Sequence, residues 1–232
     1  MMTANRVGKR LLDVTLVLLS APVTIPVLLA AAICVWLLDG RPVLYRQVRC
    51  TEGGRRFVLL KLRSMTVGEG ASVTAAADPR VTRCGAVLRR LKIDELPQLW
   101  NVLRGDISLV GPRPELPCWV DRFPAEFRSV QTVPAGLTDF ASIYFRDEAE
   151  VLQRLVAANP DLSLEGVYAD VVLPSKLELE RRYVERSGLL VDLAVIAATL
   201  SAVLLRRIPV RLMARLGGPP PSISLPGTRV PS

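Results

Sequence analysis

The chain begins with a short basic segment that is followed by a long apolar run. No charged residue occurs from position 14 to position 38, and about 20 apolar residues suffice for a helix that enters or crosses a membrane. Pro22 and Pro26 lie within this run, and each removes a backbone donor and clashes with the preceding helical turn. The Ser20 hydroxyl can bond to carbonyls that such a break frees. The pattern favours either a straight spanning helix or a re-entrant helix broken near Ser20 and Pro22.

Basic residues flank the apolar run on both sides. Positive charges favour the cytoplasmic side of a membrane segment, so the flanks indicate that both ends are cytoplasmic, as a re-entrant helix requires. The arm before the first proline would extend only about 20 Å, less than a hydrocarbon core of roughly 30 Å. A cleaved signal peptide is disfavoured because the run stays apolar beyond the alanines at positions 30–32. The flanking residues are Arg6, Lys9, Arg10, Arg41, Arg46 and Arg49.

The remaining pattern predicts a mostly helical chain with one strand pair. Residues 42–65 contain two extended segments around a Gly53-Gly54 turn. Residues 87–103 predict two helical stretches that separate near Ile93. Basic residues among apolar ones after position 205 are typical of an amphipathic helix at a membrane interface, with a packed terminal helix as the alternative. Further helices are predicted at 148–156, 177–186 and 189–205.

Composition and charge indicate a membrane and an anionic partner. Half of the residues are hydrophobic and the mean hydropathy is +0.32, which is high for a soluble domain. The net charge of +8 is concentrated in residues 41–113, which contain 14 Lys or Arg and six Asp or Glu. Such a segment can bind nucleic acid, anionic lipid or a phosphorylated small molecule. Aromatic residues make up 5% of the chain, so no aromatic platform for stacking nucleic-acid bases is evident.

The sequence contains no histidine. This excludes Ser-His-Asp and Cys-His catalysis, histidine-liganded zinc and histidine general bases. Nucleophilic work and proton transfer therefore fall to carboxylates, lysine, tyrosine, cysteine or a metal ion. The four cysteines are widely spaced and include no C-x-x-C pair, so reduced thiols are expected rather than a disulfide framework.

Asp94 and Glu95 are the strongest candidates for chemistry. They precede a helical pattern for which Gly105 fits as the C-terminal cap. At a helix start the pair can cap the helix and complement its dipole. The same position keeps Asp94 ionised, so this residue can also act as a covalent nucleophile. Glu95, with Asp94, can hold a divalent cation such as Mg²⁺. The apolar face of the pattern consists of Leu96, Leu99, Trp100 and Leu103.

Basic side chains surround this pair in the sequence. Phosphoryl transfer relies on cationic groups at the non-bridging oxygens more than on covalent protein chemistry, and arginine grips phosphate in a bidentate manner. Arg113 lies between two prolines that fix its backbone, which favours a directed role. The candidate phosphate-binding residues are Lys61, Arg63, Arg80, Arg83, Arg89 and Arg113.

Several ordered motifs resemble those of the bacterial sugar transferases, the monotopic polyprenyl-phosphate phosphoglycosyl transferases. The resemblance covers residues 9–205. The motifs are Lys9-Arg10-Leu11-Leu12-Asp13, Tyr45-Arg46-Gln47-Val48-Arg49, Lys61-Leu62-Arg63-Ser64-Met65, Asp78-Pro79-Arg80-Val81-Thr82-Arg83, Asp94-Glu95-Leu96-Pro97-Gln98-Leu99-Trp100-Asn101-Val102 and Asp106-Ile107-Ser108-Leu109-Val110-Gly111-Pro112-Arg113-Pro114.

The resemblance implies a fold, a location and a reaction. A re-entrant helix, broken near Ser20 and Pro22, would anchor an α+β, mostly helical catalytic domain at the cytoplasmic face of the bacterial inner membrane. Asp94 would take a sugar-1-phosphate from a UDP-sugar with release of UMP, and Glu95 would contribute to a Mg²⁺ site. Polyprenyl phosphate, such as undecaprenyl phosphate, would then accept the sugar-1-phosphate. This is the first membrane step of glycan assembly, for example of exopolysaccharide.

The implied organisation has three parts. Residues 1–40 form a basic leader and membrane helix, 41–205 the catalytic domain, and 206–232 an interfacial segment and a Pro-, Gly- and Ser-rich tail predicted to be disordered. Three segments depart from the family pattern. Pro134-Ala135 replaces the usual Arg-Pro before Gly136, and Cys50-Thr51 replaces Val-Gly. The segment Thr138-Asp139-Phe140-Ala141-Ser142-Ile143 resembles one subgroup rather than the commoner Gly-x-Ala-Gln version. These departures leave open an altered specificity or a weaker activity.

Two other classes of protein remain as alternatives. A membrane-anchored protein that binds nucleic acid or anionic lipid would explain the charge and the anchor, but not the ordered motifs. A soluble metal-dependent phosphohydrolase would not need the amphipathic C-terminal segment. We therefore expect a UDP-sugar, a polyprenyl phosphate and membrane lipid as partners, and no nucleic acid.

Overall fold

A computed structural model of the chain describes residues 2–66, 68, 73–76, 78–159, 161–205, 209–219, 224–225 and 228–229. Most of the tail that is predicted to be disordered, together with Arg206 and Arg207, lies outside the described residues. The described part is mostly helical with small sheets, as the sequence predicts.

The first helix, α1, runs from Met2 to Asp39 and includes Pro22 and Pro26. Residues 6–39 are long and apolar enough to cross a membrane. The Ser20 hydroxyl donates to the Val17 carbonyl at 2.9 Å, so it bonds within its own helical turn. The structure thus places no interruption at Ser20 or Pro22, and a bend at these positions stays a prediction.

The middle and end of α1 expose apolar side chains. Leu19 is 72% exposed and Val23 69% exposed, while only a few positions such as Val17 and Val35 are buried. Exposed apolar surface of this extent is unfavourable in water and favourable in lipid. The helix is therefore suited to a membrane along most of its circumference.

The N-terminal end of α1 is held by charged contacts. Lys9 Nζ lies 2.6 Å from the carboxylate of Asp192, which is 2% exposed, and the Tyr183 hydroxyl donates to the same carboxylate at 2.7 Å. Four residues further along α1, the Asp13 carboxylate accepts the Leu109 backbone N–H at 3.0 Å. Buried charges require such partners, so these contacts fix the position of the helix.

The C-terminal end of α1 is held by a different set of contacts. The Arg63 guanidinium donates to the carbonyls of Asp39, Gly40 at 2.9 Å and Arg41 at 2.8 Å. The Thr82 hydroxyl donates to the Asp39 carboxylate at 2.8 Å. A helix end leaves carbonyls without intrahelical partners, and Arg63 supplies donors for them. Both ends of α1 therefore contact the same folded unit.

The predicted strand pair is confirmed. Strands β1 (Leu44–Cys50) and β2 (Arg56–Leu62) form an antiparallel hairpin. A 3₁₀ turn, Glu52–Gly54, joins them, and both of its glycines have positive φ. This conformation is readily accessible only to glycine, which explains the Gly53-Gly54 signal in the sequence.

The predicted separation of two helices near Ile93 is also confirmed. Helix α2 spans Arg83–Arg90 and helix α3 spans Gln98–Arg104, with a 3₁₀ turn, Ile93–Glu95, between them. Lys92 precedes this turn with φ of 57°, a left-handed conformation that ends α2 and redirects the chain. Gly105 closes α3 with φ of 81°, as expected.

The predicted buried face of α3 is wrong in part. Trp100 is 57% exposed, whereas Gln98 and Asn101 are 2% and 0% exposed. The Asn101 amide accepts the Leu60 N–H at 3.1 Å and donates to the Val58 carbonyl at 2.8 Å. The backbone of β2 needs these partners along its second edge, so a polar side of the helix is buried instead.

The remaining elements build the main core behind the hairpin. Strands β3 (Ser108–Val110) and β4 (Gly136–Thr138) form a parallel pair. The helices are α4 (Pro117–Arg122), α5 (Pro124–Val130), α6 (Phe140–Tyr144), α7 (Glu148–Ala158), α8 (Leu164–Val167), a π-helical turn (Tyr168–Val172), α9 (Leu173–Arg186), α10 (Leu189–Leu204) and α11 (Val210–Gly217). Strands β5 (Ser224–Leu225) and β6 (Thr228–Arg229) form a short antiparallel pair. The core includes Trp119, Phe127, Phe140, Leu152 and Tyr183.

Strands β3 and β4 approach each other most closely at two glycines. Gly111 follows β3 and donates its N–H to the Thr138 carbonyl at 3.0 Å, while Gly136 donates to the Pro112 carbonyl at 2.8 Å. A β-carbon on either glycine would overlap the backbone of the other segment. This contact fixes the loop that carries Arg113.

Candidate active site

Asp94 and Glu95 lie in a large cleft. The cleft has a volume of about 2460 Å³ and is lined by the hairpin, α1, α2, the segment from α6 to α7, and α10. The 3₁₀ turn that follows Lys92 places the two carboxylates side by side in this space. Elements from both halves of the chain therefore converge on the pair.

Glu95 is held by two cationic side chains. Lys61 Nζ and Arg113 Nη2 each donate to the Glu95 Oε1 atom at 2.9 Å. Burial raises the pKa of Glu95, but Lys61 and Arg113 outweigh this effect and hold the pKa well below its usual value. Burial also lowers the pKa of Lys61, against the opposing effect of Glu95. Glu95 is thus an ionised carboxylate fixed in one orientation.

Asp94 has the opposite environment. It is 6% exposed, and its Oδ1 atom is buried without a hydrogen-bond partner. The pair lies in a 3₁₀ turn and does not begin α3, so the expectation that a helix start keeps Asp94 ionised is wrong. Burial and the neighbouring Glu95 charge raise the pKa of Asp94, against the opposing effects of Lys61, Lys92 and Arg89. A poorly solvated carboxylate oxygen with free lone pairs is suited to nucleophilic attack. The two neighbouring carboxylates are therefore chemically distinct.

The six candidate phosphate-binding residues separate into groups. Lys61 and Arg113 contact Glu95, and Arg89 lines the same cleft. Arg80 also lines it, while its guanidinium pairs with Asp78 at 2.6 Å.

Arg63 and Arg83 differ from these four. Arg63 also lines the cleft, but its guanidinium donates to the carbonyls at the end of α1, so its contact with phosphate stays a prediction. Arg83 begins α2 and is exposed, and it is not among the described residues that line the cleft.

Further residues of the cleft are not among the predicted site residues. Most of strand β1 lines the cleft, namely Leu44, Tyr45, Arg46, Gln47 and Arg49. Arg146, Tyr168 and Lys176 also line the cleft but come from distant segments, and no spacing in the sequence connects them with the Asp-Glu pair.

A buried ionic network lies beside the pair. Glu115 is 5% exposed and accepts hydrogen bonds from the Tyr168 hydroxyl at 2.7 Å and from Lys176 Nζ at 3.2 Å. Arg49 Nη1 lies 3.4 Å from the other carboxylate oxygen. Burial raises the pKa of Glu115, but Lys176 and Arg49 dominate and lower it to about 2. The network joins β1 to the π-helical turn and to α9.

The donor set of the Asp-Glu pair fits a magnesium ion. Among the described residues, no group of three or more His, Cys, Asp or Glu side chains could hold a metal. Mg²⁺ commonly uses one or two carboxylates and completes its shell with waters and substrate phosphates. Asp94 has an unpartnered Oδ1 atom, and Glu95 is an adjacent carboxylate. Two carboxylates and the phosphates of a substrate would thus be sufficient.

Two of the three departures from the family pattern contact each other. The Ala135 N–H donates to the Thr51 hydroxyl oxygen at 3.0 Å in a buried contact. Thr51, Pro134 and Ala135 are not among the described residues that line the cleft, whereas Thr138 and Ser142 of the third segment belong to that lining.

The Asp-Glu pair and its cationic partners thus share one cleft with the apolar helix α1. A sequence profile of the family described as bacterial sugar transferase matches residues 4–206, which is most of the chain. The chain belongs to the bacterial sugar transferase family.

Three relatives illustrate the similarity. The chain is 44% identical over 121 residues to a putative undecaprenyl-phosphate N-acetylgalactosaminyl 1-phosphate transferase of Bacillus subtilis, covering 51% of this chain and 68% of the relative. It is 44% identical over 121 residues to a UDP-N-acetylgalactosamine-undecaprenyl-phosphate N-acetylgalactosaminephosphotransferase of Aeromonas hydrophila, which covers 51% of this chain and 29% of the relative. It is 41% identical over 163 residues to a UDP-glucose:undecaprenyl-phosphate glucose-1-phosphate transferase of Caulobacter vibrioides, which covers 66% of this chain and 61% of the relative. The chain thus matches less than two thirds of the length of the second and third relatives.

The ionic network predicts a pH-dependent loss of stability on substitution of Glu115. Glu115→Gln removes one of the two carboxylates that pair with the buried Lys176 and leaves Glu148 at 3.1 Å, so the free energy of unfolding near pH 7 should fall by about 1–3 kcal/mol. Because the Glu115 pKa is about 2, against 4.5 for the free side chain, the difference from wild type should shrink as pH falls from 4.5 towards 2. Thermal unfolding in detergent measures this. The exposed Glu126→Gln is the control, and equal stability of both variants would contradict the prediction.

Proposed function

We propose that the protein transfers a sugar-1-phosphate from a UDP-sugar to a polyprenyl phosphate through a covalent phosphosugar intermediate on Asp94. The observation that carries the proposal is the buried, unpartnered Asp94 Oδ1 atom beside a Glu95 carboxylate that two cations hold in place. Family membership supports the same reaction class, because the relatives are described as undecaprenyl-phosphate sugar-phosphate transferases.

In the first half-reaction, an oxygen of Asp94 attacks the sugar-proximal phosphorus of the UDP-sugar. The bond between this phosphorus and the oxygen that bridges to UMP breaks, and UMP leaves with the electron pair. Lys92 and Arg89 lie on the Asp94 side of the cleft, where their charges can stabilise the non-bridging oxygens.

In the second half-reaction, a phosphate oxygen of the lipid acceptor attacks the same phosphorus. The bond between phosphorus and Asp94 breaks, and the carboxylate is regenerated. Glu95 stays ionised throughout because Lys61 and Arg113 stabilise its charge. It keeps these two cations in place beside the reacting phosphates.

A magnesium ion, when bound, would supply charge neutralisation for the diphosphate. Asp94 and Glu95 would hold it together with substrate oxygens. This role rests on the donor set described above and on the absence of histidine from the sequence.

We also propose that α1 is re-entrant and that the catalytic domain lies at the cytoplasmic face of the membrane. Lys9 near one end and Asp39 at the other contact the same folded domain, which cannot lie on both sides of a bilayer. A straight spanning helix would place these ends on opposite faces. Pro22 and Pro26 lie between them, where a bend is easiest.

Replacement of Asp94 tests the covalent mechanism. Asp94→Asn keeps the shape of the side chain but removes the anionic nucleophile, so UMP release should fall roughly 1,000-fold or more while the thermal unfolding temperature stays close to wild type. Wild type mixed with a UDP-sugar and no lipid should gain the mass of a phosphosugar on the peptide that contains Asp94. The exposed Asp121→Asn is the matched control.

The donor in this assay should be varied, since the relatives differ between N-acetylgalactosamine and glucose. A folded Asp94→Asn variant with near wild-type turnover would refute the covalent mechanism. An adduct on Glu95 would instead reverse the roles of the two carboxylates.

Metal removal tests the proposed magnesium site. EDTA should abolish UMP release and added Mg²⁺ should restore it, because the diphosphate charge would otherwise remain unneutralised. UMP release is measured at fixed ionic strength, with calcium-loaded EDTA as the control for chelator effects. Full activity in excess EDTA would exclude the metal.

Labelling of engineered cysteines tests the topology of α1. In a background without the native cysteines, Val7→Cys and Leu38→Cys, at positions 61% and 72% exposed in the wild-type protein, should both react with an impermeant maleimide only in inside-out vesicles. A soluble cytoplasmic marker protein with one cysteine reports vesicle integrity. Labelling of the two positions from opposite faces would establish a spanning helix.

A further inference from the structure

One wall of the cleft differs from the rest because it is apolar and consists of two helices. From α1 it contains Leu16 and Leu19, and from α10 it contains Ile196, Leu200 and Val203. The remaining lining near Asp94 is rich in cationic side chains. The cleft is therefore polar at the Asp-Glu pair and apolar between α1 and α10.

The apolar wall is open rather than packed. Leu19 is 72% exposed and Leu200 is 53% exposed, so protein covers less than half of each residue. The hydroxyls of α1 and α10 that line the cleft are satisfied internally. Ser20 donates to the Val17 carbonyl at 2.9 Å, Thr24 to the Ser20 carbonyl at 3.1 Å and Thr199 to the Val195 carbonyl at 2.8 Å, and Thr199 also contacts the Thr138 hydroxyl at 2.7 Å. The wall thus presents mainly hydrocarbon to whatever occupies the cleft.

The position of the wall indicates its occupant. Exposed apolar side chains are stabilised by hydrocarbon rather than by water, and a cleft lined by them suits an apolar ligand. Leu19 belongs to α1, whose exposed surface suits lipid, so this part of the cleft opens beside the membrane. A ligand with an anionic head and a long hydrocarbon tail matches both ends of the cleft at once.

We propose that the wall between α1 and α10 binds the first isoprene units of the lipid acceptor, which enters sideways from the membrane with its phosphate towards Asp94. This assignment rests on the proposed function for the identity of the lipid. It adds the identity of the two helices that contact the lipid tail. A second substrate that approaches along α10 would not have to cross the cationic part of the cleft where the UDP-sugar binds.

Two tryptophan variants on the same helix test the assignment. Leu200→Trp places a larger side chain on the apolar wall of the cleft. Leu190→Trp changes a residue of α10 that is 83% exposed and is not among the described residues that line the cleft. Formation of the phosphosugar adduct without lipid should be unchanged in both variants. Transfer from the preformed adduct to a long-chain polyprenyl phosphate should fall by about tenfold or more in Leu200→Trp only. Transfer to a phosphate with a single isoprene unit should fall less.

The outcomes separate the two proposals. Equal transfer by Leu200→Trp and Leu190→Trp would overturn the tail site, as would an equal loss with long and short acceptors. Failure of wild type to release UMP would instead overturn the proposed function. Crosslinking tests the site independently of turnover and of the folding of any variant. A photoactivatable polyprenyl phosphate in bilayers should mark the wild-type peptide that contains Ile196 and Leu200, and marking confined to other segments would refute the assignment.

Discussion

The docking of α1 onto the folded domain is the constraint on which the rest of the structure depends. The buried Lys9–Asp192 pair fixes one end, and Arg63 fixes the other through backbone carbonyls. Because charged and polar groups hold both ends, sliding or rotation of the helix would leave buried groups without partners. The position of Asp94 relative to the apolar helix is thereby set by contacts at both ends of α1.

The neighbouring carboxylates of Asp94 and Glu95 have different properties in the cleft. Lys61 and Arg113 lower the pKa of Glu95, whereas burial raises the pKa of Asp94. If both side chains shared the two cations, neither would be free to react. The hydrogen bonds to a single oxygen of Glu95 leave Asp94 Oδ1 unpartnered, and this division allows adjacent residues of the same chemical type to perform different tasks.

The sequence predicts local structure better than it predicts long-range polar contacts. The hairpin follows from two apolar segments around Gly53-Gly54, and the turn at Ile93 follows from a change in helical period. The burial of Asn101 could not be predicted, because its partners are backbone groups of a strand about 40 residues earlier in the chain. Arg63 lines the cleft like Arg89 and Arg113, and only its contacts with backbone carbonyls at the end of α1 distinguish it. Lys176 lines the cleft only because the chain folds back on itself, and no motif in the sequence connects it with Asp94 and Glu95.

The contact between Thr51 and Ala135 couples two positions at which this chain departs from the family pattern. The usual proline at position 135 has no N–H, and the usual glycine at position 51 has no hydroxyl, so the usual pattern contains neither partner. Replacing only one of the two residues by its usual counterpart would leave a buried donor or acceptor unsatisfied, which destabilises a protein by about 1–3 kcal/mol. The end of the hairpin strand β1 and the segment before β4 therefore depend on each other through a single hydrogen bond.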